Sequence, residues 1–231
     1  MKRHEFLSED MKMADLISSY PKLLQLLSRF GISLGFGDQR IGDTCRRHNI
    51  NPKLFLIIVS VYNNADFAPK ANDLRILDVD GLMTYLQASH HYYLNEKLPH
   101  IENHINHIAD SCPTTLGLTL RRFYQEYKSE VISHIEYEEN NVFPYLLALH
   151  NKSTISDYHI GHYLSNHIDI EDKLNDLVSI MVKYLPGDIL PTERINLVGD
   201  IIQLSEDLSC HNRIEEQILI PFVESLEASL S

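Results

Sequence analysis

The sequence predicts an all-α protein in two parts. A small helical domain occupies residues 1–62, a linker follows at 63–79, and an up-down-up-down four-helix bundle fills 80–231. Three observations carry this. Helical periodicity runs almost unbroken from Asp80 to the end, with no alternating strand pattern beside it. Its breaks are short: SCPTT, NKSTIS and LPGDILPT. Two segments of this half also repeat one another, as a hairpin copied twice would.

The N-terminal domain reads as short helices in series. One covers Met13–Ser19. Pro21 suits the first turn of the next, PKLLQLLSRF, whose leucines recur at helical spacing until Gly31 stops it. GISLGFGDQR is a glycine-rich loop. Ile41–His48 is a short helix. Asn51 then caps, and Pro52 opens, the strongly apolar helix KLFLIIVSVY. NNADFAPKANDLR is polar and aperiodic, and serves as the linker. The four bundle helices fall near 80–110, 116–150, 156–184 and 191–229.

Composition excludes several classes. Apolar residues make up 44% and charged residues 23% of the 231, the balance of a folded globular chain rather than a disordered one. No apolar run reaches the roughly 20 residues that span a bilayer. The N-terminus lacks the apolar core of a signal peptide, so a cytoplasmic location is expected. Cys45, Cys112 and Cys210 lie far apart, which argues against a zinc knuckle or a dithiol. The net charge of −12 disfavours nucleic acid as a partner. Residues 1–62 are mildly basic and residues 63–231 strongly acidic, which fits two domains with different surfaces. The 13 histidines are the first functional lead.

The duplication carries the chemistry. HIEYEENNVFPYL and HNRIEEQILIPFV share His, Glu four residues on, a second Glu, and Pro ten after the His. These are His134, Glu138, Glu139 and Pro144 in one copy, and His211, Glu215, Glu216 and Pro221 in the other. SHHYYLNEKL and SNHIDIEDKL also align, pairing Ser89 with Ser165, His91 with His167 and Lys97 with Lys173. His90 could stand in for His91, but the repeat register favours His91. A spacing of four puts each His and its Glu on one helix face. Pointed inward, His91, His134, His167 and His211 with Glu138 and Glu215 form a six-donor set for two metal ions. Each ion takes two imidazoles, both carboxylates bridge, and open positions remain, a donor mixture that suits iron. Structural zinc would be closed and commonly thiolate-bound.

The remaining histidines are assigned blander roles. His100, His104 and His107 form their own stripe roughly opposite His91, facing solvent, with a kink expected at Pro99. His162 points off the His167 face, and His159 sits a turn or two away from the site. Glu139 and Glu216 are read as solvated groups or outer partners of the ligands. Tyr92, Tyr93, Tyr137 and Tyr163 are read as packing residues.

On these residues the C-terminal part resembles a hemerythrin-like (HHE) domain, and the whole chain is similar to the di-iron proteins called repair of iron centres. The resemblance implies a hemerythrin-like four-helix bundle behind a small helical domain. It also implies four His, two bridging Glu, and two irons that are oxo- or hydroxo-bridged when oxidised. Oxygen-carrying hemerythrins use a further His; here Tyr163 stands four residues before His167 and Glu171 four after. The family's N-terminal loop carries adjacent cysteines before a glycine. Here Gly35 and Phe36 precede Gly37, so the thiol pair is missing.

The family resemblance implies a role in nitrosative and oxidative stress, with NO or O2 species as gaseous ligands, iron–sulfur proteins as partners, and repair of iron–sulfur clusters. Redox turnover of NO, O2 or peroxide would make the chain an enzyme; the residues leave that open. Two alternatives stand beside it. One is a di-iron sensor that signals through the N-terminal domain, where Arg40, Arg46, Arg47 and Lys53 surround a helix–turn–helix-like stretch. The other is an iron or oxygen carrier without catalysis.

Overall fold

A computed structural model of the chain describes residues 7–151, 158–161, 163 and 171–230. Their regular elements are helices joined by loops, and the one extended pairing among the described residues is an isolated antiparallel bridge between Lys12 and Arg40. The N-terminal helices are α1 (Met13–Ser19), α2 (Leu24–Arg29, led in by a 3-10 turn at Pro21–Leu23), α3 (Ile41–Arg47) and α4 (Pro52–Asn63). Asn51 caps α4 as its sequence predicts: its side chain accepts the backbone N–H of Lys53 at 2.9 Å and of Leu54 at 3.4 Å. The linker contains a short helix that periodicity did not reveal, α5 (Ala71–Arg75). Its start is fixed locally, because the Asp73 carboxylate accepts the Lys70 N–H at 3.2 Å.

The four expected long helices are observed in segments. The first is α6 (Val79–Tyr92), a π turn at Tyr93–Lys97, and α7 (Leu98–Asp110). The second is α8 (Thr114–Tyr137), a π turn at Glu138–Val142, and α9 (Phe143–His150). The described part of the third is the helical backbone at Ile160, Gly161 and Tyr163, then α10 (Glu171–Lys183). Its expected start at 156 lies outside the described residues. The fourth is α11 (Pro191–Ile214), a π turn at Glu215–Leu219, and α12 (Ile220–Leu230).

The π turns answer the proline problem that the sequence poses. A proline inside an α-helix removes an N–H and drives its ring against the carbonyl four residues back, at about 3 kcal/mol. Pro99, Pro144 and Pro221 each stand at the second residue after a π turn. In each case the residue just before the proline closes a wide i→i+5 turn. The N–H of Leu98 donates to Tyr93 O, that of Phe143 to Glu138 O, and that of Ile220 to Glu215 O. The feature expected as a kink at Pro99 is therefore a widened turn, and it occurs three times at one register.

Packing groups the chain into two compact units, Met1–Ser89 with Cys210–Ser231, and His90–Ser209. The division by composition at 62 and 80 does not coincide with this grouping, whose boundaries pass through α6 and α11. In the first unit the core is built on Met13, Leu16, Leu26, Phe55, Ile58 and Tyr85. Phe30 packs against Phe55 and Tyr85 at centroid distances of 5.2 and 4.8 Å. The C-terminal stretch belongs here: the Gln217 amide donates to Ala65 O at 3.1 Å, and the Cys210 thiol to Tyr62 O at 3.6 Å.

The second unit has one apolar stripe from each of its helices. Leu98, Ile101, Ile105 and Ile108 come from α7, Leu120, Tyr124, Tyr127 and Val131 from α8, Leu174, Leu177 and Met181 from α10, and Leu197, Ile201 and Leu204 from α11. Spacings of three and four keep each stripe on one face. At the α7–α8 turn the chains approach so closely that a β-carbon on Gly117 would overlap the Ala109 carbonyl oxygen. No helix among the described residues is long and apolar enough to cross a membrane.

Candidate metal centre

Glu138 opens the π turn between α8 and α9, and its side chain is fully buried. Three groups of its own unit meet it. His90 Nε2 lies 3.1 Å from Oε2, His134 Nε2 lies 3.2 Å from Oε1, and the Tyr163 hydroxyl donates to Oε1 at 2.7 Å. Burial alone would raise the Glu138 carboxyl. The imidazoles of His134 and His90 beside it outweigh burial and hold the carboxyl well below the usual range.

His90 is itself oriented. Its Nδ1 lies 2.8 Å from Glu139 Oε1, and its ring stacks on Phe143 at 5.4 Å between centroids. A carboxylate accepts only, so Glu139 keeps Nδ1 protonated, and a cation taken up beside Glu138 would replace the proton at Nε2. Glu139 thus holds the far edge of the His90 ring.

The other copy of the motif repeats the pattern in its own unit. His211 Nε2 lies 2.9 Å from Glu215 Oε1, both residues are buried, and Glu215 opens the π turn between α11 and α12. In both copies the His stands four residues before the Glu, the Glu starts the wide turn, and the proline follows six after it. π turns inside α-helices are often placed at functional sites, and here each begins at a candidate ligand.

One predicted ligand is corrected. His91 is exposed, with its Nδ1 3.1 Å from the Asn95 amide, and its neighbour His90 is the buried imidazole. The reason is helix phase. Neighbouring positions differ by about 100° around an α-helix, so a slip of one residue exchanges core for surface. Aligning the two hairpins selected the second histidine of the pair. The polar stripe Thr84, Gln87, His91 and Asn95 marks the solvent face, while Leu86, His90 and Tyr93 share the apolar one; that pattern would have found His90. His134 pairs with Glu138, and His211 with Glu215, each within its own unit. His167 and His162 lie outside the described residues, and His159 is exposed. Tyr163 was read as packing; it is buried and also hydrogen-bonds a candidate ligand.

His90, Glu138, His211 and Glu215 are buried and supply the donor types of a cation site. Each copy of the motif buries a carboxylate against an imidazole, and a buried carboxylate needs a cationic partner beside it. The donor set therefore fits a metal ion that prefers mixed imidazole and carboxylate ligation, iron among them.

A model of the hemerythrin HHE cation binding domain matches residues 82–223, more than half of the chain. The chain belongs to the hemerythrin HHE family. Among its relatives, the HHE chain is 26% identical to the iron-sulfur cluster repair protein ScdA of Staphylococcus epidermidis, over 171 residues that cover 71% of each protein. It is 18% identical to the ScdA of Staphylococcus haemolyticus, over 90% of this chain and 95% of that one. No solved structure matches the chain significantly.

The N-terminal thiol pair expected of related chains is absent, and Gly35 and Gly37 occupy that loop with φ of 100° and 55°. None of this HHE protein's three cysteines is in a disulfide, and burial pushes the Cys45 thiol up to about 12, away from thiolate chemistry.

Proposed function

We propose that this chain is a non-haem di-iron protein that supports the repair of iron–sulfur clusters under nitrosative or oxidative stress. His90, His134, His167 and His211 would supply the imidazoles that hold the irons, and Glu138 and Glu215 the carboxylates. The observation that carries the reading is the matched pair of buried His-x-x-x-Glu motifs, each opening a π turn. Membership of a cation-binding family and the repair role named for the ScdA relatives point the same way.

Iron held by these residues would supply binding of NO or O2, electrons, or iron for a damaged cluster. The protein's own part is to hold the bridging carboxylates dry and to fix the imidazole tautomers, as Glu139 does for His90.

The test is elemental analysis with an ultraviolet–visible spectrum, followed by iron transfer to an apo-ferredoxin. Two irons per chain and cluster formation that depends on the loaded protein are expected. The double variant Glu138→Ala/Glu215→Ala should lose both. Retention of two tightly bound irons in that variant would sink the assignment, and absence of transfer from loaded wild type would sink the repair role.

A further inference from the structure

A second group of imidazoles lies outside the candidate centre, wholly within the His90–Ser209 unit. His104 and His107 stand three residues apart on one face of α7, and both reach the same carboxylate on α11. His104 Nδ1 is 3.0 Å from Glu193 Oε1, and His107 Nδ1 is 2.7 Å from Glu193 Oε2. One turn earlier on α7, His100 Nε2 meets Asp200 at 3.1 Å. The sequence suggested that this stripe faces solvent. In the structure it is open to solvent and also meets a pair of carboxylates.

We propose that His104, His107 and Glu193 form a separate, exchangeable site for a divalent transition cation of the imidazole-binding kind. Metal–nitrogen and metal–oxygen bonds of about 2.1 Å set neighbouring ligand atoms about 3 Å apart, and the imidazole–carboxylate spacings have that size. Two His and one Glu are a ligand set that leaves positions open to water. The side chains of His104, His107 and Glu193 are 36%, 63% and 21% exposed, so a cation enters from solvent without opening the core. The His100–Asp200 pair is left out of the ligand set because the Lys97 ammonium lies 3.6 Å from Asp200 and repels a cation there. The acidic balance of residues 63–231 favours cation approach.

The experiment is dialysis of the full-length chain against buffered micromolar Zn2+ at slightly alkaline pH, with zinc per chain counted by elemental analysis. Wild type, His104→Gln/His107→Gln and the exposed control His91→Gln are compared, with helicity checked by circular dichroism. The double variant should bind one zinc fewer per chain than the other two. Equal zinc in all three overturns the proposal. If the double variant loses helicity, Glu193→Gln takes its place, and an undiminished count in it is the overturning result. The count at the buried His/Glu centre is common to all these proteins, so failure here leaves the di-iron reading untouched.

Discussion

Glu139 holds His90 by Nδ1 at 2.8 Å, while Nε2 of the same ring lies 3.1 Å from Glu138. Two adjacent carboxylates thus grip opposite edges of one imidazole. They reach it in different ways: Glu138 is fully buried and Glu139 is partly exposed. Their positions, about 100° apart on the helix, let one face the site and the other support it.

This relationship predicts an effect for a residue that touches no metal. Glu139→Ala frees the His90 ring to rotate and to change tautomer. Iron affinity should fall about 10- to 100-fold, the usual cost of losing an outer partner of a ligand. Competition with a chelator of known affinity measures it. An unchanged affinity would show that Phe143 stacking alone fixes the ring.

The phase of the first helix predicts a contrast between neighbours. His90→Ala should lower iron per chain, while His91→Ala should leave it at the wild-type value. Elemental analysis of both variants decides between the two registers.

The depressed Glu138 carboxyl predicts a pH dependence of stability in the metal-free protein. Its folded-state value lies below the ordinary 4.5, so its contribution is fully present above that value. The contribution is lost as pH falls from there toward the depressed value. Urea midpoints of wild type and Glu138→Gln should therefore differ at neutral pH and converge in acid. Curves that stay parallel down through the carboxylate range would contradict this.

Gly117 predicts a reversal of the usual helix rule. Gly→Ala inside a helix commonly gains up to about 1 kcal/mol. Here the added methyl meets the Ala109 carbonyl, and backbone cannot step aside cheaply. Gly117→Ala should destabilise the fold by about 1–3 kcal/mol, read as a lower thermal midpoint.

Most of the fold was legible because its signals are local. Asn51–Pro52 starts α4 through bonds to residues two and three positions away. The His134/Glu138 and His211/Glu215 pairs were legible for the same reason, since a spacing of four fixes a shared face whatever the helix packs against. His91 was a misreading because repeat alignment compares residue order, while burial depends on phase. Tyr163 could not be paired in advance, since its partner Glu138 is 25 residues away.

By itself the sequence determined the all-α class, the repeated His-x-x-x-Glu motif and the paired prolines, all of which are set by interactions within a turn or two of helix. Tertiary structure alone decided which histidine of the His90–His91 pair turns inward, which carboxylate orients it, and how the α7 histidines meet Glu193. Each of those contacts joins separate helices, and the energy that selects it comes from burial and charge pairing between segments far apart in the chain.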